Sequence, residues 1–129
     1  MLLAVLAASA FLQAQAASTI VGTWRGTSLC TKSPNFPACH DETVIYEVAG
    51  PAPDGTVMLK ADKIVKGQRE PMGELPFEYD AHADAWVSEF TRRSHTSRWS
   101  LQIRGAEMTG TLIDVPTGEV VRNVKLRRQ

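Results

Sequence analysis

The stretch T-S-R-W-S-L-Q-I-R-G-A-E-M-T-G-T-L-I-D-V-P-T-G-E-V-V-R-N-V-K-L-R, residues 96–127, alternates apolar and polar side chains with a period of two. Trp99, Leu101 and Ile103 fall on one face of the first segment, 96–104. That period belongs to a half-buried strand, since successive side chains of extended backbone point to opposite faces. Gly105-Ala106 then forms a two-residue loop of the kind that closes a type II′ hairpin. A second segment, 107–114, runs to Val115-Pro116-Thr117-Gly118, a turn signature in which proline presets one dihedral and glycine accepts positive φ. The third, 119–127, carries Val120, Arg122, Val124 and Leu126 on one face. Three strands joined by short turns predict an antiparallel meander.

The same grammar continues upstream. Segments 19–29, 43–49, 56–61, 75–80 and 85–91 alternate in the same way, with G-P-A-P-D-G at 50–55 and D-A-H-A-D at 80–84 as breaks. Pro76 has no N–H for a ladder, so the fourth strand is expected at an edge or at a bulge. Residues 63–74 are polar, hold Gly67, Pro71 and Gly73, and read as a long arm or flap. Eight short strands in neighbouring hairpins leave two free edges unless the sheet closes on itself. The expected fold is all-β, an eight-stranded antiparallel up-and-down barrel of 17–129.

The chain has 129 residues, enough for one domain and one core. Its first part is an apolar run, 2–12, followed by Gln13-Ala14-Gln15-Ala16. The A-Q-A triplet has the small-x-small form of a signal-peptidase site, so residues 1–16 read as a signal peptide cut after Ala16. Such a run is shorter than the roughly 20 residues needed to cross a bilayer, so no stable span is expected after cleavage. Export to the periplasm or outside the cell would oxidise Cys30 and Cys39, the two cysteines present. They bracket T-K-S-P-N-F-P-A with neither C-x-x-C nor zinc-type spacing, which favours a structural disulfide over a redox pair or metal ligands.

Formal charge is zero: residues 17–90 carry 6 basic and 11 acidic side chains, and residues 91–129 carry 8 and 3. Basic strands beside acidic ones make cross-strand pairs, and a neutral exported domain lacks the electrostatic footprint of a nucleic-acid binder.

Gly22-Thr23-Trp24 is a G-x-W motif at the start of the first strand. It resembles the N-terminal motif of the calycin superfamily, the lipocalins and their relatives. That resemblance implies a tryptophan closing one end of the barrel with an arginine of the last strand packed across it. Arg122 is the candidate, with Arg127 and Arg128 as competitors. The inward candidates are bulky: Trp24, Tyr46, Phe77, Tyr79, Trp86, Phe90, Trp99, Leu101, Met108, Leu112 and Leu126. Such a set is first of all a core, and a filled interior is expected from it. The functional alternative is a pocket at the open end that binds a small apolar or amphiphilic ligand, walled by Tyr46, Phe77, Tyr79, Trp86 and Trp99. Arg122, Tyr46 and Tyr79 would anchor an anionic head group there.

Chemistry is otherwise sparse. His40-Asp41-Glu42 puts at most two metal-capable side chains on one face, and a third ligand would have to come from His82, Asp84 or His95, so no metal or other cofactor is expected. Elbows, phosphate loops and zinc-protease motifs are missing, so no catalytic residues are assigned. R-R-S-H-T-S-R at 92–98 reads as an exposed hairpin tip. The rival to ligand binding is a protein-binding module: the chain also resembles, in outline, the small disulfide-bonded barrels of bacterial metalloprotease inhibitors, which insert an N-terminal segment into a protease.

Overall fold

The computed structural model describes residues 12, 15–17 and 19–129, so residues 1–11, 13, 14 and 18, which hold most of the expected signal peptide, lie outside the described residues. Eight strands follow in order: β1 (Gly22–Cys30), β2 (Glu42–Ala49), β3 (Val57–Val65), β4 (Gln68–Asp80), β5 (Ala85–Arg92), β6 (His95–Arg104), β7 (Glu107–Asp114) and β8 (Val120–Arg128). Each pairs antiparallel with its sequence neighbours, and β8 pairs back onto β1 to close the barrel. This is a closed up-and-down barrel, with the Cys30–Cys39 disulfide formed across the first connection.

Closure depends on two residues without side chains. A Cβ on Gly26 would lie 2.0 Å from the carbonyl oxygen of Lys125, and one on Gly110 would lie 2.3 Å from that of Ser100. Both glycines let strand backbones approach on the concave face, where a narrow barrel has least room.

Residues 63–74 are not a loose arm. They belong to the β3–β4 hairpin, which turns at Lys66-Gly67, both with positive φ. The residues look loop-like because both faces of the hairpin tip are exposed, so no alternation was required of them. The ladder carries a register shift at Ala61/Asp62, where Ala61 faces Gly73 and Asp62 faces Pro71, leaving Met72 as the extra residue. A bulge of this kind tolerates a proline within a strand.

The start of β1 also differs from expectation. Residues 15–17 and 19–20 are helical rather than extended, and Ala17 and Ile20 are buried beneath the barrel. Trp24, fully buried, donates its Nε1–H to the Ile20 carbonyl at 2.8 Å. The arginine across its ring is Arg128, with its guanidinium carbon 4.3 Å from the ring centroid, and not Arg122. Antiparallel closure is the reason: Trp24 stands opposite Arg128, whereas Arg122 stands opposite Cys30 at the far end of β1. Arg128 also donates to the carbonyls of Val21, at 2.9 Å, and Thr19. One guanidinium thereby stacks on the plug and holds the helical turn under it.

Charges on the outer wall pair across strands as the sequence leads one to expect. Arg98 of β6 bonds Glu89 of β5, Lys125 of β8 lies 3.5 Å from Glu107 of β7, and Arg69 of β4 bridges Glu47 and Asp62. The exposed pairs among these each contribute little to stability, whereas Asp62 is buried beneath Arg69.

Candidate functional site: a half-filled barrel

The barrel is filled at one end and hollow at the other. Around Trp24 the interior is packed by Val57, Trp86, Met108 and Leu126, all at most 2% exposed. Toward the opposite end, where the disulfide loop and the β3–β4 hairpin lie, a cavity of about 260 Å³ remains. The cause is a change in side-chain size along the inward rows. On β1 the row runs from Trp24 through Gly26 to Ser28, and on β3 from Leu59 to Ala61, so volume falls toward the hollow end.

Leu59, Leu75, Phe77, Phe90, Trp99 and Leu101 supply apolar walls. Polar groups converge on the β8–β1–β2 side. Arg122 Nη1 donates to Ser28 Oγ at 3.0 Å and to the Ser28 carbonyl at 3.3 Å, and lies 3.7 Å from Glu42 Oε2. Tyr46, 4% exposed, lines the same cavity. Burial pushes its phenol well above the ordinary tyrosine value, the nearby Arg122 charge offsets part of that rise, and Glu42 adds to it. The hydroxyl therefore stays protonated at neutral pH and can donate. Among the described residues, Tyr46 Oη and the Nε and Nη2 groups of Arg122 have no hydrogen-bond partner. Such donors, facing a cavity with apolar walls on its other side, are what an acceptor-bearing ligand would engage.

The six expected site residues divide. Tyr46, Phe77, Trp99 and Arg122 meet at the cavity. Tyr79 and Trp86 do not: their rings meet at a tilt of 49°, with centroids 5.5 Å apart, at the closed end beside Gln15, Ala16 and Thr19. The Tyr79 hydroxyl donates to Asp84 at 2.7 Å rather than joining Arg122 and Tyr46. Sharing an inward face fixed their side of the sheet but not their height in the barrel. Sequence reasoning missed Ser28, Glu42, Met72 and Arg92 as wall residues. Glu42 could have been found, since it lies on the same face as Val44 and Tyr46. Its neighbour Asp41 has a separate task, accepting from the Cys30 amide at 2.8 Å to close the disulfide loop.

The loop of residues 31–41 crosses the rim on the β6–β8 side. Asn35 donates to Glu119 at 3.2 Å, Thr31 donates to the Val120 carbonyl, and Phe36 sets its ring edge against His95 at 5.7 Å. His95 Nε2 in turn sits 2.8 Å from the buried Asp114 Oδ1, near enough for an ion pair but off-axis for a hydrogen bond. Among the described residues, no cluster of three metal-capable side chains forms and no helix is long and apolar enough to cross a membrane.

A closed eight-stranded barrel with a walled cavity is an architecture suited in general to holding a small ligand. No protein-family model and no curated protein matches the chain. Among solved structures it is similar to the siderocalin Ex-FABP, described as functioning through dual ligand specificities, with 13% identity over 86% of this chain and 74% of that one and a TM-score of 0.47.

Proposed function

We propose that this protein is an exported, non-enzymatic carrier of a small amphiphile whose acidic head group sits against Arg122 and Tyr46. The observation that carries the reading is the pairing of a cavity of about 260 Å³ with Tyr46 and Arg122 donors on one wall that make no hydrogen bond among the described residues. A carboxylate or similar acceptor would take the free Arg122 edge and the Tyr46 hydroxyl, while Phe77, Phe90 and Trp99 cover its apolar part. Export rests on the apolar run, the A-Q-A triplet and the disulfide, and a cut after Ala16 retains the buried Ala17 and Ile20 beneath Trp24. The protease-inhibitor reading is disfavoured because Ala17 and Ile20, at the start of the retained chain, are buried against the barrel floor.

Calorimetric titration with decanoate tests the proposal, together with native mass spectrometry of protein purified from its own host with lipids retained. Binding is expected for the wild type, and Arg122→Gln is expected to weaken it at least about tenfold, the scale of one charge-assisted hydrogen bond. Absence of decanoate binding together with a clean apo mass would overturn the reading.

A further inference from the structure

The barrel wall is not uniformly sewn. Strand β4 pairs with β3 along its length, from Gln68 to Phe77, but with β5 only at Glu78↔Val87, Tyr79↔Trp86 and Asp80↔Ala85. Strand β5 above Val87 pairs only with β6, out to Arg92↔His95. Over the hollow half of the barrel, β4 and β5 therefore share no ladder. Pro71 and Pro76 each remove a donor from β4, and Gly73 sits at φ 137°, so the strand is poorly built for zipping onto β5. The cavity reaches this seam: Met72, Gly73 and Leu75 line it from β4, and Phe90 and Arg92 from β5. Met72 is 36% exposed, so a residue that lines the cavity also faces solvent there.

Two further facts locate the seam relative to the polar wall. In the closed order the β4–β5 boundary lies four strands from the β8–β1 boundary, where Arg122 and Ser28 meet. The seam is thus directly across the barrel from the donors. A volume of about 260 Å³ also falls just below the roughly 300–1,000 Å³ of pockets that enclose a drug-sized ligand.

We infer that the ligand is a single-chain amphiphile longer than the cavity, bound head-first at Arg122 and Tyr46 with its tail leaving sideways between β4 and β5. This rests on the carrier reading above and adds the ligand's shape and its exit. A head at one wall and an opening in the other give a chain a straight course past Phe77 and Phe90. At the rim, residues 31–41 are tied to Glu119 and His95, on the side away from the β4–β5 seam.

The test uses the wild-type protein, isotopically labelled, with stearate bearing a doxyl spin label at carbon 5 or carbon 16. With the label at carbon 16, amide signals of residues 72–75 and 88–92 are expected to broaden. With the label at carbon 5, broadening is expected to shift toward Ser28, Tyr46 and Arg122. In parallel, affinity along the C8 to C18 carboxylates is expected to rise about fourfold per methylene until the cavity is full, then to flatten by at least half. Carbon-16 broadening centred on residues 31–41 and 115–119 would mean a tail leaving through the rim, and would overturn the inference while leaving the carrier reading intact. So would an unbroken fourfold slope to C18, which signals full enclosure, or binding of decanoate without stearate. Failure of every carboxylate to bind overturns the inference, and joined by a clean apo mass it overturns the carrier reading too.

Discussion

Removing the Arg128 side chain tests the assignment of the barrel plug. In Arg128→Ala the Trp24 ring loses a guanidinium held 4.3 Å from its centroid, and the carbonyls of Thr19 and Val21 lose a charged donor. Two hydrogen bonds to a partly exposed cation contribute about 1 kcal/mol each, and the cation–π contact adds about 0.5–1 kcal/mol, so the expected loss is about 3 kcal/mol. That is a large part of the 5–15 kcal/mol typical of a domain and lowers Tm by roughly 10 °C. Urea denaturation gives the magnitude. Proton exchange of the Trp24 indole gives the location, because its N–H bond to Ile20 depends on the turn that Arg128 holds. In the wild type that proton is expected to exchange slowly, in Arg128→Ala much faster, and in Arg122→Ala as slowly as in the wild type. A loss below about 0.5 kcal/mol for Arg128→Ala, the scale of an ordinary surface change, or a faster Trp24 proton in Arg122→Ala, would refute the reasoning.

Three other outcomes follow from the same geometry. Gly26→Ala places a methyl 2.0 Å from the Lys125 carbonyl oxygen, so β1 and β8 must part; a loss of about 3 kcal/mol or more by chemical denaturation is expected, as overpacked cores show. Replacing Cys30 and Cys39 together by serine releases a loop of about ten residues and is expected to cost about 2.7 kcal/mol on the chain-entropy estimate. For alkali, the sign follows from Tyr46. Its folded phenol stays protonated above the ordinary value, so the stability it supports is complete below about pH 10 and falls as pH rises beyond, where the unfolded chain ionises first. Tyr46→Phe is therefore expected to lose less stability than the wild type between neutral pH and strong alkali, measured by denaturant midpoints across the range.

Local chemistry determined the strands of this protein and their order. The period-two rows from Trp99 to Leu126, the turns at Gly105-Ala106 and 115–118, and the breaks at 50–55 and 80–84 act over a few residues, so they are legible without a fold. The preference of eight hairpin-linked strands for closure, and the pairing of the two cysteines, follow from equally general constraints. What the sequence left open was height. A period of two says that Arg122, Tyr79 and Trp86 face inward, but not which end of the barrel each occupies. That depends on the β1–β8 register, which sets Trp24 against Arg128 and Cys30 against Arg122. The extent of the cavity and the β4–β5 seam are further removed, because each depends on side-chain volumes and ladder lengths from strands distant in the chain. Alternation assigns a side chain to a face; only the closed barrel determines which residues share the hollow behind it.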